Sequence, residues 1–200
     1  MDSILDTILH RLHQAEVILI GGSAGSFTPI FNIIRSLPKD FDQTIVVVIH
    51  RGKNSFSDIE NLFNDNCRIS VSEITDKDKI SAGKVYIAPA NYHTLIEKNK
   101  AFALDVSESV WYSKPSIDVT FDSAANVYRD KCAAILFSGA NQDGAEGLLK
   151  LRKNGALTII QDPKDAEMPT MPQAAVEIDA GEFVLKTNQI LNLMRSNSQT

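Results

Sequence analysis

The chain is poor in the residues that mark several common functions. Its 200 residues include two cysteines and one tryptophan, and its formal net charge is −5. Cys67 and Cys132 stand far apart with no Cys-x-x-Cys or Cys/His grouping beside them. That spacing suggests neither a disulfide framework nor a zinc site, and both read as small core residues. No basic run or stripe offers a footprint for phosphates, so nucleic acid is not an expected partner. No apolar run approaches membrane-spanning length. The stretch from Met1 to Gln14 lacks the uninterrupted apolar segment of a signal peptide. The expectation is a cytoplasmic protein without membrane insertion. Gly-Lys-Ser/Thr is absent, and "GGSAGS" (Gly21 to Ser26) lacks glycine at its third and sixth positions. Neither a P-loop nor a dinucleotide fingerprint is therefore present there.

What the chain does have is an apolar rhythm. With 44% hydrophobic residues it can bury a core of its own, and it reads as one domain over 1–200. Within it, 1–14 is an N-terminal helix with Ile4, Leu5, Ile8 and Leu12 at helical spacing, 15–185 the core, and 186–200 a C-terminal helix ending in a frayed tail. A unit of apolar run, turn and helical stretch recurs along the core. Glu16 to Ile20 leads to a helix over Phe27 to Ser36, and Thr44 to Ile49 to one over Ser55 to Phe63. Ala133 to Phe137 leads to a helix ending near Leu151, and Leu157 to Ile160 to one over Met171 to Ile178. Such alternation predicts an α/β fold: a doubly wound, mostly parallel sheet with helices on both faces. Val85 to Ala88, Thr94 to Glu97 and Ala101 to Asp105 are short and closely spaced, which predicts an antiparallel excursion at the sheet edge. "KPSIDVTFDSAANVY" then returns to helical spacing, with Ile117, Phe121, Ala124, Ala125 and Tyr128 on one face.

In an open parallel sheet the ligand crevice lies beyond the carboxyl ends of the strands. Ser23, His50 and Asp143 each follow such an end. A serine hydroxyl needs a base to take its proton, imidazole suits that task near neutral pH, and a carboxylate on the other ring nitrogen fixes the tautomer. Gly21, Gly22 and Gly25 frame the serine in a G-x-S-x-G turn leading into a helix. Singly, each residue has a plainer reading: Ser23 as a turn residue, His50 as a solvated ring, Asp143 as a helix cap. "SESVWYSKPS", with Trp111, Tyr112 and Lys114, stays open between contact with the crevice and edge packing.

The order Ser, His, Asp and the words around each residue resemble the catalytic domain of the CheB-type protein-glutamate methylesterases. "IGGSAGS", "VVVIHRG" and "LFSGANQDGAEGL" are similar to that family's serine, histidine and aspartate segments. "VYIAPANYHTLIE", "PSIDVTFDSAA" and "IIQDPKDAEMPTMPQAA" match further landmarks, so the resemblance spans about Glu16 to Ala180. It implies hydrolysis of glutamate γ-methyl esters on a methylated, helical chemoreceptor-like protein, with glutamine deamidation as a second activity. It also implies Ser23 as nucleophile, His50 as general base and acid, and Asp143 as its orienting carboxylate, with no metal and no cofactor needed. Backbone donors at Ala24 and Ala140 are the oxyanion candidates. The chain departs from the family at Ala24, where a threonine is common, and at Ala140 and Asn141, where methionine and glycine are common. The alternative those departures raise is a catalytically weak or inactive interaction module that binds receptor or partner helices. The usual family enzyme carries a receiver domain ahead of the esterase domain. None is visible before Ser23, so the expectation is a free-standing enzyme or one with a separate regulatory partner.

Overall fold

A computed structural model describes residues 2–50 and 59–197. Its centre follows from the most apolar runs. Val17–Gly22 (β1) and Thr44–Ile49 (β2) are buried at every residue, as are Cys132–Leu136 (β7) and Leu157–Gln161 (β8). Strands covered on both faces require this. The remaining strands are Ser70–Glu73 (β3), Lys84–Ile87 (β4), His93–Ile96 (β5), Phe102–Asp105 (β6) and Phe183–Leu185 (β9). The helices are Asp2–His13 (α1), Phe27–Ser36 (α2), Ile59–Asn66 (α3), Ile117–Tyr128 (α4), Ala145–Lys153 (α5), Thr170–Glu177 (α6) and Thr187–Asn197 (α7).

Seven strands form one sheet in the order β3-β4-β2-β1-β7-β8-β9, with every pair parallel. Successive residues point to opposite faces, which divides the core in two. Ile18, Ile20, Val47 and Ile135 meet Leu12, Ile33, Phe63 and Met194 of α1, α2, α3 and α7. Leu19, Val48, Ala134 and Leu136 meet Phe121, Leu148, Leu151 and Ala175 of α4, α5 and α6. The crossover helices α2 and α5 thus lie on opposite faces, and the winding reverses between β1 and β7. A doubly wound sheet opens its crevice at that reversal.

Two local readings change. Val85 to Ala88 is not part of the antiparallel excursion: β4 lies inside the main sheet, parallel to both β3 and β2. The antiparallel part is the separate pair β5–β6. The chain supplies β4's outer neighbour from "SVSE", Ser70–Glu73, with a single fully buried residue, which alternation alone did not mark. Of the expected helix over Ser55 to Phe63, residues 55–58 lie outside the described residues, as do 198–200 of the expected frayed tail. α7 packs through Ile190, Leu193, Met194 and Asn197. α1 docks by Ile8 and Leu12, both fully buried, and leaves Ile4 56% exposed.

Candidate active site

The strand ends bring the serine turn, His50 and Asp143 together through backbone bonds. The His50 N–H donates to Gly22 O at 3.2 Å, and the Ser23 N–H donates to Ser138 O at 2.8 Å. The exits of β2, β1 and β7 are thereby laced side by side. Beyond Ser23 the chain reverses at once: both the N–H and the hydroxyl of Ser26 donate to Ser23 O, at 3.0 and 2.6 Å. Gly25 makes the reversal possible, since its φ of 80° belongs to the left-handed region and a Cβ there would stand 2.6 Å from Glu167 Cβ. The buried Ser138 hydroxyl ties the turn to the β8–α6 loop, donating to Ala24 O and accepting the Met168 N–H, each at 2.8 Å.

Asp143 is completely buried and accepts four donors. The backbone N–H groups of Ile117 and Asp118 reach it at 2.7 and 3.0 Å, the Ser116 hydroxyl at 2.8 Å and His50 Nε2 at 2.7 Å. Ser116 caps α4, so the carboxylate sits at that helix's N-terminus, where free N–H groups and the helix dipole favour negative charge. Burial alone would raise this carboxyl, but His50 and the Asp118 and Ile117 N–H groups outweigh it and hold it below the ordinary value of 3.8. An ionised carboxylate only accepts, so Nε2 of His50 carries the ring proton and Nδ1 keeps the lone pair. The ring is used the other way round from the usual triad, in which Nδ1 faces the carboxylate.

That lone pair faces a cleft of about 380 Å³ whose walls include Ser23, His50, Ser113, Ala140 and Asn141. Ser23, half-buried, lines the cleft, and among the described residues no hydrogen bond joins its hydroxyl to His50. The hydroxyl that does reach His50 Nδ1 belongs to Ser113, at 3.0 Å. Trp111 and Tyr112 form the rim, the crevice position that the sequence left open. Among the described residues neither the Ala24 nor the Ala140 N–H is taken by an acceptor, and Ala140 is exposed on the cleft wall. No group of three His, Cys, Asp or Glu side chains among the described residues is spaced to hold a metal. A larger cavity of about 540 Å³ lies between α4 and α5, where Lys150 pairs with Asp122. It lacks a paired nucleophile and base.

Several site residues were invisible to the sequence reading. Ser113, Ser116 and Asp118 lie in stretches that the sequence marks only as a loop and a helix. Asp118 accepts the Gly147 N–H at 2.7 Å and the Trp111 indole N–H at 3.1 Å. His93 is fully buried. Its Nδ1 accepts the Ser116 N–H at 3.1 Å, so Nε2 donates to Glu108 O at 2.9 Å, bracing the loop that carries Ser113. The only sequence cue was the capping position of Ser116 before an apolar helix.

The chain is similar to known proteins over most of its length. The family model described as CheB methylesterase matches residues 18–194. A putative protein-glutamate methylesterase/protein-glutamine glutaminase of Leptospira interrogans is 42% identical over 178 residues, covering 89% of this chain and 92% of that protein. A protein-glutamate methylesterase/protein-glutamine glutaminase of Symbiobacterium thermophilum is 33% identical over 175 residues, 88% of this chain but 48% of that protein. The chain thus spans nearly all of the first relative and about half of the second. The crystal structure of the Thermotoga maritima CheB methylesterase catalytic domain superposes with a TM-score of 0.84 at 29% identity, covering 91% of this chain and 98% of that one.

Proposed function

Because this chain belongs to the CheB methylesterase family, we propose that it hydrolyses glutamate γ-methyl esters on a chemoreceptor-like helical protein by serine acyl transfer. Ser23 is the nucleophile, His50 the general base and then acid, and Asp143 the carboxylate that orients His50. The observation that carries the reading is the proton arrangement of His50. Its Nε2–H is held by a buried, charge-stabilised Asp143, and its Nδ1 lone pair opens on the cleft that Ser23 lines. A serine near neutral pH needs such a base.

In the first half-reaction Ser23 Oγ bonds to the ester carbonyl carbon while its proton passes to His50 Nδ1. The Ala24 and Ala140 N–H groups are the donors left for the developing oxyanion. The tetrahedral centre collapses, the bond to the methoxy oxygen breaks, and His50 returns the proton to release methanol. Water deprotonated by His50 then attacks the acyl-serine, freeing the glutamate carboxylate and restoring Ser23. The same cycle with a glutamine side chain releases ammonia, which is the second activity in the relatives' names. Those names favour the enzyme over a non-catalytic binding module. Cytoplasmic action on a membrane receptor fits a chain in which, among the described residues, no helix is long and apolar enough to cross a membrane.

Methanol release from methylated receptor membranes tests the reading. Ser23→Ala and Asp143→Asn are each expected to lower the rate by roughly three orders of magnitude or more. A wild-type rate no higher than that of Ser23→Ala would overturn it.

A further inference from the structure

Both ring nitrogens of His50 are occupied. Nε2 donates to Asp143, and Nδ1, the sole acceptor on the ring, takes the Ser113 hydroxyl at 3.0 Å. If Ser23 is the nucleophile, its proton must also go to Nδ1, because Nε2 already carries one. Ser113 and Ser23 therefore compete for a single lone pair, and Ser113 holds it.

Ser113 is fastened in place. It closes a tight turn in which the Val110 N–H donates to Ser113 O at 3.2 Å and the Ser113 N–H donates to Val110 O at 2.9 Å. The two central residues, Trp111 and Tyr112, have φ of 50° and 60°. Bulky side chains rarely adopt that left-handed region, and when they do the surroundings must enforce it. Here the enforcement is visible. The Trp111 indole is anchored on Asp118 at 3.1 Å. Asn141 Nδ2 donates to Trp111 O at 2.9 Å and, at 3.5 Å, to Ser113 Oγ. Asn141 Oδ1 in turn accepts the Asp143 N–H at 3.2 Å. One side chain thus buckles the strained turn to the aspartate loop, and a glycine there would make none of these bonds.

We propose that Ser113 is a positioning residue that holds the base nitrogen of His50 in a resting arrangement, with Asn141 as its clasp, and that turnover begins when the 110–113 turn yields Nδ1 to Ser23. The proposal rests on the reading above for the identity of the nucleophile. Ser113 keeps its own proton throughout: its hydrogen bond to Nδ1 is exchanged for that of Ser23, and only the Ser23 proton is transferred. Substrate is the natural trigger. Tyr112 is fully exposed and Trp111 40% exposed at the mouth of the cleft, so a protein approaching Ser23 meets this turn first.

The test is the rate of phosphonylation of the purified full chain by a small fluorophosphonate, followed by intact mass with peptide mapping. It needs no receptor, so it separates this proposal from the choice of ester. The adduct is expected on Ser23 and absent in Ser23→Ala. The rate is expected to rise roughly three- to tenfold in Ser113→Ala, the range that loss of one competing hydrogen bond allows. Asn141→Gly, which opens the clasp from the other side and leaves the Ser113 hydroxyl itself in the chain, is expected to rise as well. Ser113→Thr, which keeps a hydroxyl, is expected to return to the wild-type rate. An unchanged or slower rate in both Ser113→Ala and Asn141→Gly, with thermal midpoints preserved, would overturn the proposal. So would an adduct mapped to Ser113 in the wild type, which would displace Ser23 as nucleophile too. Faster labelling of Ser23 with no methanol release from receptors would leave the clasp standing and remove the ester reading instead.

Discussion

Asp118 and Asp143 approach the same end of α4 and ionise in opposite senses. Burial lifts Asp118 to about 6, helped by the neighbouring Asp143 charge and opposed by the Gly147 N–H and Trp111 indole. Asp143, with His50 and two backbone donors on it, stays below 3.8. The consequences for stability differ in sign. Folding binds the Asp118 proton more tightly, so that contribution is complete below the ordinary carboxylate value of 3.8 and is lost as pH rises through about 6. The Asp143 contribution is present above 3.8 and lost as pH falls through its depressed value. Thermal unfolding between about pH 4.5 and 7.5 should therefore show wild type losing on the order of 2 kcal/mol relative to Asp118→Asn as pH rises. Parallel pH curves for the two proteins would refute the assignment. Ser23, His50 and Asp143 were legible because each follows an apolar run, where a parallel sheet gathers its loops. Ser113, Asp118 and His93 were not, because their roles depend on how one loop and one helix end close over the crevice.

At the scale of elements, the serine turn is the most constrained piece of chain. A Cβ on Gly22 would lie 2.5 Å from Ser26 Cβ, and Gly25 combines positive φ with the Glu167 contact. Gly25→Ala is expected to cost about 1–3 kcal/mol and to slow phosphonylation of Ser23, measured by thermal unfolding alongside labelling. Normal labelling in a destabilised protein would show that the turn does not set the hydroxyl's position. The central strands and α4 could be read directly, since two-sided burial leaves unbroken apolar runs and a helix leaves a one-faced stripe. β3 and β9 could not. Both are edge strands of three or four residues with little buried surface, so the alternation of Ile69 and Val71 with serines and the run Phe183 to Leu185 are too short to mark a strand by themselves. β4 was misread for a related reason: its short run looked like its hairpin neighbours, and only pairing with β3 and β2 distinguishes it.

Across the whole molecule, the crevice and the contacts of the terminal helices lie at different ends of the strands. The crevice lies at the carboxyl ends, whereas the start of the sheet is sealed by α1 and α7. There Gln43 Nε2 donates to Leu12 O at 2.7 Å and Ala15 O at 2.5 Å, and Asn197 Nδ2 donates to Gln43 Oε1 at 2.5 Å. Leu12→Ala, at a fully buried position, is expected to cost about 2–5 kcal/mol while leaving the labelling rate of Ser23 within about twofold at a temperature where the protein stays folded. A large fall in rate under those conditions would mean that the two ends are coupled. The placement of β1 has a further consequence, for assembly over time. The strand that carries the serine pairs with β2, close in sequence, and with β7, reached only after most of the chain has been used. Closing so long a loop makes that pairing slow relative to local structure. During refolding, reactivity at Ser23 should return no earlier than the slowest phase of sheet formation, because Asp143 follows β7 and reaches His50 only once that strand has docked beside β1.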